Sequence, residues 1–216
     1  SLSQVGNELI MKVEYTSTES KKHAYKAVDR MGQRLKHMGY AKSDAVSIRF
    51  GDFDNETRIN FLLGFTQGVA SDHFYNGIIE NIKFKPDGGA GKLPDDLEPM
   101  KDTVSNLNIN GSNLDKLSYV KSDLYKPCVL LERVKVKFDF ELNGEIGFCV
   151  VEIGFPSSLN NKTVDYQTEL QTSITIPPIK GNKKLTTKLS TLEHRLSKKL
   201  DDFVMRRYAL IKPAGT

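Results

Sequence analysis

Apolar and polar residues alternate near the start of the chain. Leu9, Met11, Val13 and Tyr15 are apolar, with Lys12 and Glu14 between them, which is the two-residue period of a strand. The period then changes. Ala24, Val28, Met31, Leu35 and Met38 recur at steps of 4, 3, 4 and 3, which predicts an amphipathic helix running to about Met38. Thr16, Ser17, Thr18 and Ser20 offer N-cap oxygens, and Glu19 suits the positive end of the helix. Gly39 is placed to end it in a left-handed turn. Gly32 inside it costs about 1 kcal/mol against Ala, which points to close packing there.

Strand-like alternation returns at 46–50 (Val46, Ile48, Phe50) and at 59–65 (Ile59, Phe61, Leu63, Phe65), and less regularly at 78–84. From 86 to 127 glycines, prolines and acids punctuate the chain. A structureless loop of that length is uncommon in a compact domain. This stretch reads as a flexible arm, linker or partner-binding segment, with a short strand near Leu107 and Ile109. The clearest element follows: Val134, Val136, Phe138, Phe140 and Leu142 alternate with Lys135, Lys137, Asp139 and Glu141, and Asn143-Gly144 comes next. That dipeptide favours a two-residue type I′ turn. Closing the hairpin there pairs Phe140 with Gly147, Phe138 with Cys149, Val136 with Val151 and Val134 with Ile153, an apolar face throughout. The opposite face pairs Lys135 with Glu152, Lys137 with Val150 and Asp139 with Phe148, a mixture that suggests partial cover by another element.

A further strand is predicted over 166–176, stopped by Pro177-Pro178, and a last helix over 185–210 with Leu185, Leu189, Leu192, Leu196, Leu200 and Phe203 along one stripe. The order β-α-β-β-β-(long loop)-β-β-β-α describes an α+β fold: antiparallel or mixed sheets packed with two long amphipathic helices. A single domain over 1–216, with 86–127 as an arm or linker within it, accommodates every element.

The chain has 216 residues, 38% of them apolar and 27% charged, with a formal charge of +4. That is the composition of a globular protein with room for a core, not of a disordered one. Cys128 and Cys149 are too few for a disulfide scaffold and read as buried thiols in a reducing, cytoplasmic compartment. No apolar stretch reaches the roughly 18–20 residues that span a bilayer.

No sequence motif marks a catalytic centre. The four histidines fall in no metal-ligand pattern, and no nucleophile elbow, phosphate loop or dinucleotide fingerprint is present. No cofactor is implied. Gly88-Gly89-Ala90-Gly91-Lys92 reads as a turn. Asp52, Asp54 and Glu56 would share one face of a continuing strand, as a hard cation requires, but polar turns favour the same residues. An enzyme would need a cleft that joins separated residues such as Asp52, Asp54 and His73.

Charge placement carries more information. Lys22, Lys26, Arg30 and Arg34 follow at four-residue steps on the first helix, and only Asp29 answers them after Glu19. They span about 120° of the helical wheel, centred about 140° from the apolar stripe. The last helix carries Lys184, Lys188, Arg195, Lys199 and Arg206 on one flank, diluted by Glu193, Asp201 and Asp202, of which only Asp202 falls on that flank. Positive faces of this kind neutralise phosphates and release counterions, and Lys135 and Lys137 on the hairpin could join them. The expectation is a nucleic-acid-binding protein for RNA or single-stranded DNA. The alternative is an assembly subunit or interaction module, a homo-oligomer or a protein bound through 86–127. An enzyme ranks third. The membrane-surface reading of the first helix is weaker, because its stripe is narrow and lacks bulky aromatics.

Overall fold

A computed structural model describes residues 2–5, 8–11, 13, 18–42, 47–66, 73–101, 103–159, 163–177 and 185–211; the side chains of 3, 5, 8, 10, 18–22 and 185–188 lie outside it. The chain forms two compact units, Ser1–Ser47 and Ile48–Thr216.

In the first unit, β1 (Leu2–Val5) pairs antiparallel with β2 (Glu8–Met11), Leu2 opposite Met11. The alternation over 9–15 therefore yields a short strand that begins a residue earlier, and positions 12, 14 and 15 lie outside the described residues. Helix α1 spans Thr18–His37. It closes where its sequence places the stop: Gly39 has φ 78°, and the Tyr40 amide donates to Leu35 O at 2.9 Å. A left-handed residue there costs glycine little and lets the last carbonyls find donors. The N-cap candidates Thr16 and Ser17 lie outside the described residues. Among the described residues the close packing expected at Gly32 is absent, since outside the helix's own backbone no atom stands within 4 Å of where a Cβ would sit. Among the described residues of this unit none is buried.

The second unit is an α+β fold around a five-stranded antiparallel sheet in the order β4-β3-β5-β6-β7. Its strands are β3 (Phe74–Pro86), β4 (Leu107–Asn110), β5 (Val129–Leu142), β6 (Glu145–Gly154) and β7 (Gln171–Thr175). The β5–β6 hairpin has the register that the Asn-Gly turn dictates, with Phe140 opposite Gly147 and Val134 opposite Ile153. Asn143 and Gly144 have φ 53° and 80°, as a type I′ turn needs. One sheet face supplies Ile79, Ile82, Phe84, Val134, Val136, Phe138, Cys149, Val151 and Ile153 to a single core. Helix α4 (Leu185–Ile211) adds Leu196, Leu200, Phe203 and Val204 to it, and the Phe203 ring lies 6.5 Å from that of Phe74.

Two strand expectations fail here. Residues 59–65 are not a strand; Asn55–Leu63 form helix α2. Asp54 caps it, accepting the Thr57 amide at 2.7 Å, and Ile59, Phe61, Leu62 and Leu63 are all buried. A helix covered on nearly every side has no single apolar stripe to announce its period, and the alternation was an accident of which residues are largest. Residues 46–50 do not make a full strand either, and Val46 lies outside the described residues. Arg49 bridges Glu169, and the chain then tightens into a 3₁₀ turn at Phe50–Asp52. The Gly51 amide donates to Tyr166 O at 2.9 Å, an approach so close that a Cβ at Gly51 would meet that oxygen at 3.0 Å. The strand expected over 166–176 is correspondingly divided: 171–175 pair with β6, and 166–170 hydrogen-bond to 48–51.

Between β3 and β5 the chain passes through β4, at the Leu107–Ile109 position anticipated for it, and a short helix α3 (Ser118–Lys121). Leu93, Leu97, Leu114 and Val120 from this stretch are buried in the core. Tyr125 Oη donates to Asp96 at 2.9 Å.

Candidate nucleic-acid interface

Residues that alternate with the core positions line the second face of the sheet, because side chains switch sides at each step of a strand. Strand register sets the rows. Tyr75 stands beside Asp139, and Asp139 beside Phe148; Ile78 stands beside Lys137, and Lys137 beside Val150. Asn81 stands beside Lys135, and Lys135 beside Glu152, while Lys83 neighbours Arg133. One end of this face is apolar and open: Phe148 is 44% exposed and Ile146 72%, with Tyr75 and Ile78 also exposed. The mixed hairpin face is therefore accessible at its turn end.

The other end is polar and internally matched. Lys83 Nζ lies 2.9 Å from Glu132 Oε1, and Glu132 is 1% exposed. Arg133 reaches Glu152 Oε1 at 2.5 Å, and Lys135 reaches Glu152 Oε2 at 3.2 Å. Asn81 donates to Asn108 Oδ1 at 2.6 Å and Asn110 Oδ1 at 2.7 Å. Lys137 differs: its ammonium sits 4.7 Å from the Phe148 ring centroid, within cation–π range. Asp139, two residues on, accepts from Asn76 at 2.9 Å. Lys83, Arg133 and Lys135 thus each have a carboxylate partner, so Lys135 brings little unbalanced charge.

The other basic positions divide between the two units. Lys26, Arg30 and Arg34 on α1 are exposed, and none of the three forms an ion pair with another described residue. The side chain of Lys22 lies outside the described residues, as does that of Lys188 on α4. Also on α4, Arg195 and Lys199 are half-buried and Arg206 is exposed. The sheet thus gathers Lys135 and Lys137 with Lys83 and Arg133, while the α1 ridge belongs to the first unit.

The residues considered for chemistry have structural partners. Asp52 accepts the Arg49 amide at 2.7 Å. The Thr57 hydroxyl and amide, both donating to Asp54, hold its carboxyl below the ordinary aspartate value. His73 Nδ1 stands 3.2 Å from Glu141 O. Among the described residues no three His, Cys, Asp or Glu side chains are grouped to hold a metal ion. Burial pushes the Cys149 thiol up to about 12 and raises that of Cys128 as well. Among the described residues no helix is long and apolar enough to cross a membrane.

Sequence reading missed Tyr75, Ile78, Lys83 and Arg133 on this face. Phe148 was within reach, since the Asn-Gly turn already pairs it with Asp139. The others needed β3 beside β5, and no local signal sets that neighbour. No family model, curated protein or solved structure matches the chain.

Proposed function

We propose that this protein binds nucleic acid through the basic ridge of α1, sequence-independently and by way of the phosphate backbone. The observation that carries the reading is the solvent exposure of Lys26, Arg30 and Arg34 without carboxylate partners among the described residues. Like charges at four-residue steps repel by a few tenths of a kcal/mol per pair, and a polyanion relieves that cost. Lys22 extends the same row by one step. A preference for RNA or single-stranded DNA is supported separately by the exposed rings of Tyr75 and Phe148 on the open sheet face. Unpaired bases stack on such rings, whereas bases inside a duplex are out of reach. Lys188, Arg195, Lys199 and Arg206 on α4 rank below the ridge, because Arg195 and Lys199 are half-buried.

A salt titration of fluorescence anisotropy with labelled single strands and duplexes tests this. Four phosphate contacts give a log–log slope of about −3 on single strands and about −3.6 on duplex DNA. Replacing Arg30 and Arg34 together by Gln should halve the slope. Failure to retain any nucleic acid at low salt would overturn the proposal. The second reading, an interaction module, is favoured by the exposed Ile146, Phe148, Tyr75 and Ile78, since apolar patches rimmed by polar groups mark protein contacts.

A further inference from the structure

Among the described residues the apolar stripe of α1 contributes no buried side chain. Ala24, Val28 and Leu35 are only half-buried, while Met31 is 47% and Met38 54% exposed. Steps of 4, 3, 4 and 3 average 3.5 residues, the period of a two-helix seam rather than of a helix laid on a sheet. Val28 and Leu35 fall at one set of alternating seam positions, and Ala24, Met31 and Met38 at the other.

The residues beside the seam decide what covers it. Ser20, Tyr25, Ala27, Gly32 and Gly39 are uncharged, and Arg34 is the one cation among these flanking positions. An acidic helix would find almost nothing there to pair with. Anionic lipid headgroups would meet the same nearly neutral flanks, because Lys22, Lys26 and Arg30 of the basic ridge fall away from the stripe and only Arg34 borders it. A second copy of α1 fits: neutral flanks meet neutral flanks, with no like charges opposed across the seam. No described residue beyond the helix's own neighbouring backbone stands within 4 Å of the Gly32 Cβ position, which leaves room for a second backbone.

We infer that α1 pairs with α1 of a second copy of this chain through the Val28–Met31–Leu35–Met38 stripe. Pairing leaves both ridges facing outward, so the dimer presents twice the cationic length of one chain. The helix has 20 residues, just short of three heptads, so association is weak and concentration-dependent.

Sedimentation velocity of the full chain without nucleic acid tests this independently of the proposed function. The expected result is a shift from monomer to dimer between low and high micromolar protein. Leu35→Glu should keep the chain monomeric and leave the thermal transition of the second unit unchanged, while Arg30→Glu should still dimerise. Met31→Cys should form a disulfide-linked dimer under mild oxidation, and Lys26→Cys, on the opposite face, should not. A chain that stays monomeric at high micromolar concentration, a dimer indifferent to Leu35→Glu, or a monomer that binds phosphatidylserine vesicles through the stripe would overturn the inference.

Discussion

Arg58 offers the sharpest test of how the second unit is held together. It lies on α2, is 1% exposed, and forms no ion pair with a carboxylate among the described residues. Its guanidinium instead donates to Phe53 O at 2.7 Å, Asn55 Oδ1 at 3.0 Å and Phe50 O at 3.2 Å, and lies 3.5 Å from the Phe50 ring centroid. Burial lowers its pKa to about 10, which still leaves it charged at neutral pH. Arg58 therefore ties α2 to the turn at Phe50–Asp52, and that turn is bonded to Tyr166 and Thr168. Arg58→Ala removes three charge-assisted hydrogen bonds, leaves buried acceptors unpaired and opens a cavity. Relief of guanidinium desolvation offsets part of this, so the expected net loss is about 3–5 kcal/mol. For a unit of this size that is a drop on the order of 10 °C in Tm. Arg58→Met keeps the stem packing and should lose about half as much. Urea unfolding followed by circular dichroism measures both, and hydrogen exchange at the Phe50 and Gly51 amides should accelerate first. A loss below about 1 kcal/mol for Arg58→Ala would refute the assignment of Arg58 as a buried clamp.

Three further outcomes follow from the packing. Lys83→Met strands the carboxylate of Glu132, which is 1% exposed, and should cost about 3–5 kcal/mol; adding Glu132→Gln should recover much of it in a double-mutant cycle. Asp54→Ala removes the cap of α2 and should cost about 1 kcal/mol. Because the folded state depresses the Asp54 pKa below its ordinary value of 3.8, this contribution is present above that value and fades as pH falls through the lower folded pKa. The difference between wild type and Asp54→Ala should therefore shrink only in strong acid. Gly64→Ala would drive a methyl into the Arg207 guanidinium, displacing it from Asn60 O, to which it donates at 2.6 Å; the mutant should unfold at lower urea, and Arg207→Ala in the same chain should relieve the clash.

What the sequence determined by itself was local. Asn143-Gly144 set the β5–β6 register, because a two-residue turn with positive φ admits one pairing and any slip would turn Phe138 and Val136 away from the core. Gly39 set the end of α1, and the Leu196–Leu200–Phe203 spacing set the buried side of α4. Tertiary structure decided the rest. Residues 59–63 became helix because Asp54 caps α2, and burial on nearly every side erases the period that sequence reading depends on. Tyr75, Ile78 and Lys83 reached the open face only because β3, separated from β5 by more than 40 residues, lies against it. The charges of Arg133 and Lys135 were visible along the chain, but their partner Glu152 came with the hairpin register. A row of cations in sequence becomes a binding surface only where folding leaves it without carboxylates. Among the described residues Lys26, Arg30 and Arg34 pair with no carboxylate, whereas Lys135 meets Glu152 across the hairpin.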